Sequence, residues 1–205
     1  MKILLVAATQ LELQEYILSA PHHDILITGI GVPPSMFELT RLLHHHRYDL
    51  VIQAGVAGAY PNAPYKLGDV VAVERDAFGT LGVFEEKQIR SLTELNLSSE
   101  KEWWVNDNPL LKKLGLPLAK GLTLSGIVDD DTFINALINR WNADVESMEG
   151  ACLHYVCSKL NMPYIQLRAI SNVVGERDKN KWLLGGALTN LNNYVSQFIQ
   201  SLQKN

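Results

Sequence analysis

Cysteine is scarce: of 205 residues only Cys152 and Cys157 carry a thiol. With no export signal read ahead of them, a disulfide framework is not expected, and a reducing compartment, the cytoplasm, is. Positive charge is also short. Eighteen Lys and Arg against 22 Asp and Glu leave a net charge of −4, which provides no broad cationic face for nucleic acid or anionic lipid. Long apolar runs are missing. Ile3–Ala8 is shorter than the roughly 7–15 residues of a signal-peptide core, and Glu12 follows it. The longest uncharged stretch, 182–203, contains Asn190, Asn192, Asn193, Gln197 and Gln200, which a membrane span of about 20 residues would not accept. Three of the six histidines are consecutive, His44, His45 and His46. Neighbouring helical residues point about 100° apart and cannot converge on one ion, so the triplet reads as a solvated helix end and no metal is expected. There is no G-x-S-x-G elbow, which disfavours a Ser-His-Asp hydrolase.

What is present is an ordinary globular composition, 47% hydrophobic and 20% charged, with length for one domain at roughly 100–200 residues each. A single domain over 1–205 is expected. Short apolar runs at 3–8, 24–29 and 49–55 alternate with helical patterns at 11–20 and 35–47, the signature of βαβ units around a largely parallel sheet. The middle is less regular: a strand at 68–75, a loop-like region from Ala77 to about Lys113, and a strand at 117–125. Alternation resumes with a helix after Asp131, a short segment at 143–146, a helix at 148–160, a strand at 163–171 and a last helix from about Lys181. Leu184, Leu188, Leu191, Val195, Phe198 and Leu202 give that helix a core-facing stripe. The adjacent Trp103 and Trp104 form either a lid or subunit contact, or a core anchor.

Glycine-rich turns follow two strands, Gly29-Ile-Gly31 and Gly55-Val-Ala-Gly58. Neither completes a phosphate cradle: Pro34 stands where a dinucleotide fingerprint needs its third glycine, and no Lys-Ser/Thr follows. Both permit close backbone approach to a ligand. Polar groups at strand ends say more, because ligands of open α/β sheets lie beyond the carboxyl ends of the strands. Glu12 follows the first strand, Glu146 and Glu149 flank Met148, and Arg168-Ala-Ile-Ser171-Asn172 ends a buried strand.

Taken together, residues 1–12, Gly55–Gly58 with Leu67-Gly68-Asp69-Val70-Val71, Val145–Gly150 (VESMEG) and Arg168–Asn172 (RAISN) resemble the nucleoside phosphorylase and nucleosidase family, which cleaves N-glycosidic bonds. The detailed likeness is to its futalosine-hydrolysing branch, through residues 78–83 and 91–95, the extra Ser147 within VESMEG, and residues 171–178 followed by Trp182. The resemblance implies a three-layer α/β/α fold with a mixed, largely parallel central sheet, a homo-oligomer (dimer or tetramer), a small-molecule nucleoside substrate and no cofactor.

It also implies roles. Glu12 matches the general base that activates water, and Glu149 the carboxylate that holds the ribose hydroxyls. Met148 packs beside the ribose or belongs to the core. Ala57, Gly58 and Ser171 approach the substrate, and Phe133 is expected to stack on the base, with Asp131 nearby as a possible helix cap. Asn172 stands where adenine-specific relatives carry aspartate. An amide both donates and accepts, which suits a 6-oxopurine and hence hypoxanthine release. Arg177 either meets the aromatic carboxylate of futalosine or pairs with Glu176 or Asp178. The alternatives are a methylthioadenosine/S-adenosylhomocysteine nucleosidase, a purine nucleoside phosphorylase, and, from another class, a catalytically silent nucleoside-binding protein.

Overall fold

The computed structural model describes residues 1–19 and 22–203. Its strands are β1 (Ile3–Ala7), β2 (Asp24–Ile27), β3 (Leu50–Ala59), β4 (Val70–Phe78), β5 (Gly82–Glu85), β6 (Gln88–Ser91), β7 (Trp104–Val105), β8 (Leu118–Thr123), β9 (Val145–Ser147) and β10 (Tyr164–Val173). Its helices are α1 (Gln14–Leu18), α2 (Val32–His45), α3 (Asp131–Trp141), α4 (Gly150–Leu160) and α5 (Leu184–Gln203). The first helix was expected to reach Ala20, which lies outside the described residues.

β1 is buried at every position, and its side chains alternate between two cores. Ile3, Leu5 and Ala7 join the cluster under α5, whereas Leu4 and Val6 join the one under α2 and α4. A parallel strand covered on both faces reads as a continuous apolar run for this reason. The result is helices on both faces of a mixed sheet, the α/β/α arrangement.

Among the described residues, eight strands form that sheet in the order β2, β1, β3, β9, β8, β4, β10, with β7 on β4. β10 also pairs with β3 along its length, so the sheet is not the open one expected. β3, β9, β8, β4 and β10 close into a ring, and β1 and β2 extend from it as a wing. A separate cluster draws on all five ring strands, among them Ala57, Ala59, Val71, Ala119, Val145 and Ile170; its small side chains suit a tightly closed interior.

The cause of closure is the length of β3. Its first half pairs with β1 up to Val6 and Gln53, and its end pairs with β9 from Gly58 to Ala59. Between these partners the edge of β3 is free. Backbone groups near Val56 are left without a strand neighbour there, and buried main-chain groups must find partners.

The region read as a loop from Ala77 to Lys113 holds the hairpin β5 and β6, strand β7 and a 3-10 turn at Pro109–Lys113. The last helix begins at Leu184; Lys179–Lys181 form a separate 3-10 turn. Trp104 is buried against Tyr155 and Trp103 meets Trp141 edge-on, so this pair anchors the core. His44, His45 and His46 are exposed at the end of α2.

Candidate functional site

A cavity of about 260 Å³ opens where β1, β3 and β10 end and where β9 runs into α4. Glu12, Ala57, Gly58, Met148, Glu149, Ser171, Asn172 and Arg177 all line it. These residues come from widely separated parts of the chain, and the divergence of β1 from β9 brings them together.

Glu12 sits in a 3-10 turn, Gln10–Leu13, just after β1. One carboxylate oxygen, Oε2, accepts from the Thr9 backbone N–H at 2.9 Å. The other, Oε1, accepts from the Val56 N–H at 3.2 Å, which satisfies the free edge of β3. The turn is held from below by α5: Asn192 Nδ2 donates to the Glu12 carbonyl and Asn192 Oδ1 accepts from the Tyr16 N–H, both at 3.0 Å. Burial raises the Glu12 pKa above its ordinary value, and the nearby Arg168 guanidinium opposes that rise.

Glu149 occupies the N-cap position of α4, but its side chain does not cap the helix. Its Oε1 accepts from the Gly31 N–H at 2.9 Å, and its Oε2 lies 3.9 Å from Arg168 Nη1. Gly31 has φ +93°, a left-handed conformation that glycine adopts without steric cost. The expected close backbone approach at Gly29-Ile-Gly31 is therefore made to a site carboxylate.

Arg168, fully buried on β10, was not among the expected site side chains. It donates from Nη2 to Gln53 Oε1 at 3.2 Å and from Nη1 to the Val56 carbonyl at 3.4 Å. It thus ties Glu149 to the free edge of β3 and acts electrostatically on Glu12. A charged residue amid the apolar run Tyr-Ile-Gln-Leu-Arg-Ala-Ile was the signal for it, since buried charges need partners.

Asn172 Oδ1 accepts from Ser171 Oγ at 2.8 Å, and its Nδ2 donates to the Val173 carbonyl at 3.1 Å. Ser171 Oγ is also 3.3 Å from the Ala57 carbonyl. Arg177 is exposed at the mouth and makes no ion pair among the described residues, because Glu176 is taken by Lys181 at 2.6 Å and Asp178 caps the turn at Asn180. Glu146 and Trp182 join the lining.

Phe133 requires a correction. It is not a lining residue: its ring meets Phe84 of β5 edge-on at 4.8 Å. Asp130, rather than Asp131, caps α3 by accepting from the Phe133 N–H at 2.7 Å, and this placement in the first turn sends the ring to the hairpin. Ile127 and Val128, just before the cap, reach the cavity instead.

The description of the phosphorylase superfamily matches residues 22–200. The chain belongs to this superfamily. A futalosine hydrolase of Thermus thermophilus is 32% identical over 182 residues, 85% of this chain and 80% of that protein. One from Streptomyces coelicolor is 28% identical over 191 residues, 88% and 80% of the two chains. Among solved structures, a futalosine hydrolase mutant of Helicobacter pylori superposes with a TM-score of 0.83 at 17% identity, covering 98% of this chain and 99% of that one. The H. pylori methylthioadenosine/S-adenosylhomocysteine nucleosidase with butyl-thio-DADMe-Immucillin-A also gives 0.83, at 16% identity and 98% coverage of each. These two likenesses carry the superfamily fold. No helix among the described residues is long and apolar enough to cross a membrane.

Proposed function

We propose that the chain hydrolyses the N-glycosidic bond of futalosine and releases hypoxanthine, a step toward menaquinone. The curated relatives support the substrate, and one observation carries the chemistry. Glu12, with both oxygens fixed by backbone N–H groups, shares a single cavity with Glu149 and Asn172.

In this reading Glu12 takes a proton from the attacking water. Its raised pKa brings it nearer the working pH, where a general base is most effective. Glu149, fixed by Gly31 and Arg168, accepts from the ribose hydroxyls and favours positive charge developing on the sugar. Met148, half-buried, packs beside the ribose, and Ala57, Gly58 and Ser171 line the base end. Asn172 presents an amide to the 6-oxo edge. Arg177, which has no ion pair among the described residues, meets the aromatic carboxylate of the 5′ extension from the mouth.

Water suits this site better than phosphate. Two buried carboxylates, Glu12 and Glu149, outnumber the single buried guanidinium of Arg168, so an entering dianion would be repelled by several kcal/mol at an effective dielectric of about 20. A cytoplasmic homo-oligomer, dimer or tetramer, completes the reading. Its support is the exposure of Ile30, at 60%, in the cavity lining, and of Phe37, at 64%, on α2.

The test incubates the protein with futalosine, inosine and methylthioadenosine, with and without phosphate, and follows free base by chromatography. Hypoxanthine from futalosine, independent of phosphate, is expected. Adenine release with futalosine untouched would favour the methylthioadenosine nucleosidase, phosphate dependence a phosphorylase, and binding without product a silent nucleoside-binding protein.

A further inference from the structure

Asn172 has no proton to give at accessible pH, yet a departing purine carries away the electron pair of its glycosidic bond. Another group facing the base must supply that proton. The register of the sheet identifies it. Gly58 of β3 pairs with Asn172 of β10 on one edge and with Glu146 of β9 on the other. Residues that pair across neighbouring strands share a face, and both side chains line the cavity. The middle member of the row has no side chain, and a Cβ there would come within 3.1 Å of both Asn172 Nδ2 and Val174 Cγ2, so a larger residue would crowd the amide. One row of the cavity wall therefore carries an amide and a carboxyl group, with only the Gly58 backbone between them.

We propose that Glu146 is the acid that protonates the departing base, with Tyr60 as its positioning residue. The inference rests on the nucleosidase reading given above. Tyr60 is buried, and its hydroxyl donates to Glu146 Oε2 at 2.9 Å. No cation is paired with Glu146 among the described residues; Arg168 pairs with Glu149 instead. The other groups near it supply no counter-charge. On β4, the negative charge of Asp76 helps to raise the Tyr60 pKa, so that hydroxyl keeps its proton for Glu146. At the start of β9, Asp144 is engaged with Lys120 of β8 at 3.8 Å. After β10, Glu176 is held by Lys181, and Arg177 is exposed at the mouth. The segment before α3 presents only Ile127 and Val128 to the cavity. Burial accordingly pushes the Glu146 pKa to about 7, with the Tyr60 hydrogen bond opposing.

The proton count closes. As the C1′–N9 bond breaks, its electron pair goes to the purine, and Glu146 delivers its proton to N7. Hypoxanthine leaves neutral and Glu146 becomes a carboxylate. Water adds to C1′ and yields its proton to Glu12. Exchange with solvent restores both groups before the next turnover.

The test compares wild type with Glu146→Gln on futalosine and on 4-nitrophenyl β-D-ribofuranoside, whose leaving group departs as a stable anion. The variant is expected to lose about 10²- to 10⁴-fold in kcat on futalosine, while its rate on the nitrophenyl riboside stays within about threefold of wild type. On futalosine the fall in wild-type kcat/KM as pH rises through about 7 disappears in Glu146→Gln. It moves to higher pH in Tyr60→Phe, which removes the hydrogen bond that holds the pKa down. That shift is read on a second variant and does not require Glu146→Gln to fold. A futalosine rate within threefold of wild type in Glu146→Gln, equal losses on both substrates, or an unmoved limb in Tyr60→Phe overturns the assignment while leaving the hydrolase reading intact. A wild type that cleaves neither substrate overturns the hydrolase reading and this assignment with it.

Discussion

Arg168 and Gly55 are paired in register across β10 and β3, and the guanidinium fills the space a side chain at residue 55 would occupy. A Cβ built on Gly55 collides with Arg168 Nη1 and with Glu12 Oε1. Both groups are buried and hydrogen-bonded, so neither can move aside cheaply. Gly55→Ala is expected to cost about 1–3 kcal/mol in stability, as overpacking typically does, and to lower kcat more than this alone explains by displacing the base. Thermal unfolding and steady-state kinetics on the same preparation check it; an unchanged kcat would show that Glu12 tolerates the displacement.

Removing the guanidinium should act through charge. Arg168 opposes the rise in the Glu12 pKa that burial causes. In Arg168→Gln that opposition is gone, the Glu12 pKa climbs further, and more acid must be removed before the base is ionised. The acidic limb of kcat/KM should therefore move to higher pH. The variant should also lose roughly 3–5 kcal/mol of stability, the usual penalty for leaving a buried ion pair half-made. A limb that stays in place would separate Arg168 electrostatically from Glu12.

Glu12→Gln keeps the shape of the side chain but cannot take a proton. A loss of about 10²- to 10⁴-fold in kcat is expected, with KM little changed. The acidic limb should vanish from the residual pH profile. A large rise in KM with kcat preserved would make Glu12 a binding group.

Much of this arrangement could be read from the chain because the apolar runs of β1, β3 and β10 are buried on both faces, and burial of that kind leaves a continuous hydrophobic pattern. The strand-end carboxylates were visible for the same reason, as polar residues next to such runs. The hairpin β5 and β6 was not visible. Its strands are short, and its turn places Glu86 and Lys87 at φ +51° and +62°, without the Asn or Gly that normally marks left-handed backbone. Closure of the ring left no trace in the alternation, since it depends on β3 changing partners midway. The bond from Tyr60 to Glu146 spans 86 positions, a separation at which no local pattern connects them.

Asn172 is held so that its Nδ2 donates to the Val173 carbonyl and its Oδ1 accepts from Ser171. An ionised aspartate would keep the second contact and set an acceptor against the carbonyl in place of the first. Asn172→Asp should lower kcat/KM for futalosine by roughly 5- to 150-fold, the range set by about 1–3 kcal/mol for an unmade hydrogen bond. Its relative rate on methylthioadenosine should rise. Chromatography of hypoxanthine and adenine from the two substrates reads the ratio, and an unchanged ratio would remove Asn172 from base selection.

His154 lies fully buried on α4, away from the cavity lining, and its Nδ1 is 2.8 Å from the Trp104 carbonyl. A carbonyl only accepts, so Nδ1 carries a proton, and Nε2, buried without a hydrogen-bond partner among the described residues, carries none in the neutral ring. Burial pulls its pKa down to about 4 from 6.5. The sign follows from linkage. Below pH 6.5 the unfolded chain takes up a proton that the folded chain refuses until about pH 4, so the stability this residue contributes is complete above 6.5 and is lost as pH falls through 4. A shift of that size corresponds to about 3 kcal/mol. In His154→Asn the side chain can still donate to Trp104 but does not titrate. The stability gap between wild type and variant should therefore narrow by about 3 kcal/mol from pH 7 to pH 4. Denaturant unfolding at pH 7, 5.5 and 4 measures it; a gap that does not change with pH would mean that His154 titrates in the fold as it does in the unfolded chain, and a gap that widens would mean that the fold holds it protonated.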